Sequence, residues 1–286
     1  MTDALMQLSF GALSPKRVDS LLATYGTPDD AVSAVARGRT SLSEAAVAEI
    51  VVPASIRRPA LDAMGVSWIA RDSAAYPERL RRFDDSPPWL FVRGNFLEGP
   101  CIALVGTRAC TPYGVELAET YGAVAARSGW IVASGLAKGI DHAAQSGAVE
   151  LGGPCHTVLG SGIDVVYPKR HRPLYDAIIS HGGAMCSEFP PGTRPDAWRF
   201  PTRNRIIAGM ADVVLVVEAG MTGGALITAR IALEYGIPVF ASPGDVDRPA
   251  SAGTNALIRD GAFPVFDGAD LAQVLELISP LAAGAA

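Results

Sequence analysis

No stretch of the 286-residue sequence stays apolar over the ~20 residues that a membrane-spanning helix requires. The N-terminus, MTDALMQLSF, carries no basic segment ahead of an apolar one, so no secretory leader is expected. Cysteine is scarce, and the four present (Cys101, Cys110, Cys155 and Cys186) form no CxxC pair. Three sit in or beside apolar runs, a pattern of buried thiols in a reducing compartment rather than of a metal or redox site. Motifs that carry chemistry are missing too: there is no GxSxG elbow, no HExxH and no other metal-ligand spacing. A Walker A loop is lacking, because Lys138 precedes Gly139 instead of following a glycine and preceding Ser or Thr. The dinucleotide fingerprint fails at Gly160-Ser161-Gly162-Ile163-Asp164-Val165, which has no third glycine. These absences disfavour NAD, ATP and metals, and they leave no catalytic residue to nominate. A cytoplasmic protein with no cofactor and no membrane contact is expected.

Charge is low and unevenly spread. Charged residues are 19% of the chain against 49% hydrophobic, with 30 Gly and 21 Pro, which suits a loop-rich globular α/β protein. The net charge of −5 argues weakly against a polyanionic partner. Residues 161–210, however, hold seven Lys/Arg against four Asp/Glu, and residues 211–286 hold three against nine. Affinity for a polyanion follows the local patch rather than the sum.

Four segments are expected. Residues 1–60 read as short helices: Ser14-Pro15 and Thr27-Pro28 are start signals, Gly26 is a stop, and Thr40 to Ile50 gives a third helix. This pattern fits a helix-hairpin-helix DNA module and a small packing domain equally well. Residues 61–95, punctuated by Pro77, Pro87 and Pro88, read as an extended connector packing on the core. Residues 96–280 alternate apolar strands, glycine turns and amphipathic helices, which predicts a Rossmann-like, doubly wound, mainly parallel sheet covered on both faces. Residues 281–286 form a low-complexity tail.

Nearly every strand of that series ends in a glycine turn, and in a parallel sheet such turns share the carboxyl edge, where ligands bind. Glycine lets the backbone approach an anion, and helix N-termini offer free N–H groups. Gly106, Thr107 and Arg108 form the first turn, Ser134, Gly135, Lys138 and Gly139 the second. Gly160 lies in the third, with Lys169 beyond it, and Gly223 lies in a later one. Arg203, Asn204 and Arg205 open a helix, where cations oppose the macrodipole. Their forks and amide therefore point to a phosphate or a base edge. Tyr113, Tyr167, Trp198 and Phe200 are interleaved with these charges, as base-stacking rings are in single-strand binders. Glu188 and Glu218, at strand ends, read as capping or loop-bracing residues before they read as a carboxylate pair.

The ordered runs VGTR from Val105, SGLAKGID from Ser134, VLGSGIDVVYP from Val158, FPTRNRIIAGM from Phe200 and ALITA from Ala225 resemble the DNA-processing protein A family, also called DprA or Smf. The segments YPERL from Tyr76, Ser187 to Pro190 and Pro243-Gly244 fit as well. The resemblance implies a Rossmann-like core behind a helical, sterile-alpha-motif-like domain. It also implies protection of incoming single-stranded DNA, homodimerisation, and loading of the RecA recombinase during natural transformation. It assigns DNA contacts to Arg108, Lys169, Arg203, Asn204 and Arg205, which are expected to form one basic rim. The acidic segment from Ala211 onward is then expected to repel DNA and to face the recombinase. Three positions depart from the family pattern: Gln145 where His is usual, His171 where Asn is common, and Thr222-Gly223-Gly224 in place of a more serine-rich loop. The alternatives are a nucleotide-binding sensor or nucleoside-monophosphate phosphoribohydrolase on the same turns, and a partner-binding scaffold.

Overall fold

Five helices open the chain: α1 (Thr2–Ser9), α2 (Pro15–Tyr25), α3 (Pro28–Ala36), α4 (Glu44–Ile50) and α5 (Ala54–Ala63). The structure is a computed structural model and describes residues 2–279, so the tail expected at 281–286 lies outside the described residues. Proline at the first helical position starts α2 and α3 without losing a hydrogen bond, and the Thr27 side chain accepts the Asp30 N–H to cap α3. Next come β1 (Ser67–Ala70), α6 (Glu78–Arg81) and β2 (Trp89–Gly94). The expected alternation follows as β3 (Cys101–Val105), α7 (Pro112–Arg127), β4 (Ile131–Ser134), α8 (Ile140–Glu150), β5 (Cys155–Val158), α9 (Arg172–Ser180), β6 (Ala184–Ser187), α10 (Arg199–Gly209), β7 (Val213–Val216), α11 (Gly224–Glu234) and β8 (Val239–Ala241). It is extended by α12 (Ala252–Arg259), β9 (Phe263–Pro264) and α13 (Gly268–Ile278).

The strands form one sheet in the order β1-β2-β6-β5-β4-β3-β7-β8-β9. From β6 through to β9 every neighbouring pair is parallel, whereas β1–β2 and β2–β6 are antiparallel. Residues 61–95 are therefore more than a connector. Their prolines fall between the strands, which leaves Ser67–Ala70 and Trp89–Gly94 free to pair.

Alternate strand residues face opposite sides of a sheet, and two apolar clusters divide them accordingly. Ile102, Leu104, Val132, Val213 and Leu215 join a cluster with α7, α8, α9 and α13. Cys101, Ala103, Val105, Ala133, Val214 and Val216 join one with α10 and α11. The fold is an α/β, Rossmann-like sheet covered on both faces. The N-terminal helices belong to the first cluster, through residues such as Met6, Val18 and Ile50, and Phe10 meets Phe91 of β2 edge-on at 5.5 Å. They thus share the sheet's core instead of closing around a separate one. Cys101, Cys155 and Cys186 are buried free thiols within strands.

Candidate functional site

Winding reverses at β3, with β4, β5 and β6 to one side and β7, β8 and β9 to the other. At such a switch point the connections diverge and leave a crevice beyond the carboxyl ends of the strands. Here the crevice is a cavity of about 890 Å³. Gly106, Thr107 and Arg108 from the turn after β3 line it, as do Thr222 and Gly223 from the turn after β7 and Asp141, Tyr167, Phe200, Arg203 and Asn204.

The walls are tied to each other. The Thr107 N–H donates to the Glu218 carbonyl at 2.7 Å. A Cβ on Gly106 would lie 2.8 Å from that oxygen and still closer to Ile140, so only glycine lets the two turns meet. The Glu218 carboxylate, 2% exposed, accepts the Thr111 N–H at 2.8 Å and its hydroxyl at 2.7 Å. Thr111 Oγ1 in turn accepts the Gly114 N–H, which caps α7. Asn204 Nδ2 donates to the Gly224 carbonyl at 3.0 Å and joins α10 to the start of α11. The second turn is held at Leu136, whose φ is +54°. Gln145 Oε1 accepts its N–H at 3.2 Å, and His171 Nδ1 donates to its carbonyl at 2.9 Å. Two of the three departures from the family pattern thus secure the same residue.

The rim differs from the one expected. Arg203 is 3% exposed and forms the cavity floor: its Nη1 donates to the Gly135 and Val158 carbonyls, and its Nη2 lies 3.6 Å from Asp141 Oδ2. A side chain on Gly135 would collide with that guanidinium. Burial pulls the Arg203 pKa down to about 10 against the opposing pull of Asp141, and burial raises Asp141 despite its arginine partner. Arg205 is not at the cavity. Its two terminal nitrogens donate to Glu188 at 3.1 and 2.6 Å, and its Nε to the Asp85 carbonyl at 2.9 Å. Burial alone would lower its pKa, but the Glu188 carboxylate outweighs this and the net shift is upward. A buried guanidinium with a bidentate carboxylate has no fork left for phosphate, so Arg205 is a brace. Glu188 and Glu218 do not face one another as a pair, since Arg205 engages the first and Thr111 the second.

Arg108, Lys138, Lys169 and Arg170, by contrast, are exposed. The Arg108 guanidinium rests 4.4 Å from the Phe200 ring centroid, and Phe200 lies 5.9 Å from Tyr167. Lys138 follows the cavity residue Ala137, and Lys169 and Arg170 follow Tyr167 closely in sequence. Of the other expected contacts, Ser134 is buried and donates to the Leu104 carbonyl at 2.7 Å, Gly135 and Gly160 are buried, Gly139 (φ +89°) starts α8, and Gly223 is exposed. Residues of the segment from Ala211 onward also line the cavity, between Ala219 and Thr228, and none of these is charged. Asp212 of that segment pairs with Arg79 at 2.7 Å. Sequence reasoning passed over Asp141, whose signal was an acid in the first turn of a helix after a glycine turn. Among the described residues no group of three or more His, Cys, Asp or Glu is arranged to hold a metal ion, and no helix is long and apolar enough to cross a membrane.

Residues 67–276 match the model of a family described as DNA recombination-mediator protein A. The chain belongs to this family. Its relatives include Protein Smf of Escherichia coli K12, 41% identical over 210 residues that make up 73% of this chain and 56% of that protein. DNA processing protein DprA of Streptococcus pneumoniae is 41% identical over 203 residues, 70% of this chain and 71% of that protein. The X-ray structure of DprA from S. pneumoniae superposes with a TM-score of 0.74 at 34% identity, covering 93% of this chain and 95% of that one. The DprA of Helicobacter pylori, whose structure addresses its single-stranded DNA binding mode, superposes with a TM-score of 0.67 at 27% identity over 75% of this chain and 97% of that one.

Proposed function

We propose that this chain binds single-stranded DNA at the carboxyl edge of its sheet and acts by holding the strand, not by catalysing a reaction on it. The observation that carries this reading is the mouth of the cavity. An exposed Arg108 lies over Phe200, Phe200 stands beside Tyr167, and Lys138, Lys169 and Arg170 are exposed close by in sequence. Aromatic faces hold bases without reading sequence, and the surrounding cations neutralise successive phosphates. Glycine-turn N–H groups add donors at the same edge. Arg203, Asn204 and Asp141 shape the floor. Glu188 and Glu218 are held by internal partners, and Asp141, the buried carboxylate of the cavity lining, faces Arg203, which supports holding over chemistry. The family and its relatives' names support a role in recombination. In this reading the chain is cytoplasmic, protects incoming single strands as a homodimer and passes them to the RecA recombinase.

Fluorescence anisotropy with single- and double-stranded oligonucleotides at several salt concentrations tests the reading. Four cations on a single strand give a log–log salt slope of about −3. Arg108→Ala is expected to weaken binding to every sequence alike and to leave the melting temperature unchanged. A sequence-selective loss, a preference for duplex, or release of a free base from a nucleotide would replace this reading with another.

A further inference from the structure

Trp198 is set apart from the other tryptophans. Trp89 and Trp130 are buried at 4% and 1%, and Trp68 is half-buried with its indole N–H donating to Ser9 Oγ, whereas Trp198 is 38% exposed. It precedes α10 and meets Phe189 edge-on at 5.6 Å. The Arg199 guanidinium lies 4.9 Å from the Trp198 centroid and 5.1 Å from that of Phe189. Arg199 Nη1 donates to the Arg194 carbonyl at 2.6 Å, while its buried Nε has no hydrogen-bond partner. Among the described residues neither Arg194 nor Arg199 has a carboxylate within ion-pair distance. Burial lowers the Arg199 pKa, with Asp196 pulling the other way from a distance. An exposed indole backed by an unneutralised guanidinium has a surface suited to a base and a charge suited to its phosphate.

The position of this pair fixes what it could serve. Pro195, Asp196 and Ala197 line the cavity and lead directly into Trp198. Phe200, under Arg108, is two residues further on, so the two backbone positions lie at most about 7 Å apart. Residues two apart at a helix start point to different sides, and the two rings sit over neighbouring strand ends, Phe200 over Gly160 after β5 and Trp198 against Phe189 after β6. Asp196, exposed on the same ridge, is an adverse charge that the two arginines outnumber.

We infer that Trp198, with Arg194 and Arg199, is a second base-stacking subsite, which takes the nucleotide adjoining the one held at the Arg108 mouth. This rests on the reading of the cavity as a single-stranded DNA interface. Titration of the full chain with thymidine monophosphate and with oligothymidylates of about 4 to about 16 nucleotides tests it, by tryptophan emission and anisotropy together. Stacking on the exposed indole is expected to quench emission in the wild type. Trp198→Phe is expected to lose the quench and keep the affinity, because a ring remains. Trp198→Leu is expected to bind every oligomer roughly tenfold more weakly and the monophosphate, which fills the Arg108 mouth alone, as before. Arg108→Ala is expected to weaken all of them. Wild-type affinity of Trp198→Leu at every length would remove the subsite and leave the Arg108 reading standing. An equal loss for the monophosphate and the oligomers would also overturn it, by making Trp198 part of the cavity's own contact. If the wild-type chain binds no oligomer, both readings fall.

Discussion

At the scale of residues, burial decides which arginines can meet a ligand. Arg203 and Arg205 stand two positions apart on α10, yet each points its charge inward, one to Asp141 and backbone carbonyls, the other to Glu188. Losing one member of a buried pair leaves an uncompensated charge, which costs about 3–5 kcal/mol. Arg205→Ala is therefore expected to lower unfolding stability by that amount in urea titrations, and Glu188→Ala to do the same. Replacing both with apolar residues of similar volume is expected to recover most of the loss. A stable Arg205→Ala variant that binds DNA poorly would return this residue to the interface. Arg108 differs because its side chain is exposed over the half-buried Phe200 ring and has no carboxylate within ion-pair distance among the described residues, so it is free to engage a phosphate.

At the scale of elements, the site depends on how helix ends are fixed to strand ends. The N-terminus of α7 is held by Thr111, and Thr111 is held by the buried Glu218 at the end of β7. Two arms of the crevice are thereby set at a fixed separation. Thr111→Ala removes both the cap and one partner of a buried carboxylate, so a loss of about 1–2 kcal/mol is expected in thermal or chemical melts. Thr111→Ser keeps the hydroxyl and is expected to restore most of that loss. Equal stability of the Ala and Ser variants would show that the Glu218 bond contributes nothing. α10 starts at Arg199, so Arg203 and Arg205 lie beyond its first turn instead of opening it, and their charges are neutralised by Asp141 and Glu188, not by a ligand.

At the scale of the whole molecule, one feature links stability to pH. His156 on β5 is buried, and its Nε2 accepts the Leu97 N–H at 3.0 Å. Burial, with a smaller push from Arg79, lowers its pKa from 6.5 to about 4. Between these values the unfolded chain binds a proton that the folded chain refuses. The contribution is complete above pH 6.5 and is lost as pH falls to about 4, by up to about 3 kcal/mol. His142 and His171 are shifted in the same direction, chiefly by burial, and add to the trend. Urea melts at pH 7 and pH 4.5 are expected to show this fall, and His156→Gln to flatten it. A pH-independent midpoint in the wild type would contradict the neutral, buried assignment.

The order of strands and helices from Cys101 to Ala241 was legible in the sequence, because continuous apolar runs and glycine turns report local geometry. So were the cavity turns at Gly106 to Arg108 and at Gly223, since a parallel sheet gathers such turns on one edge by its own topology. The strands at Ser67 and Trp89 were hidden by their flanking prolines. The ion pairs of Arg203 and Arg205 were hidden by distance along the chain, as their partners Asp141 and Glu188 come from other strand ends. A sequence states which charges exist, and periodicity states which segments lie inside. Whether a given guanidinium turns inward to a carboxylate or outward to solvent depends on which loops the sheet brings beside it, and only the tertiary structure settles that.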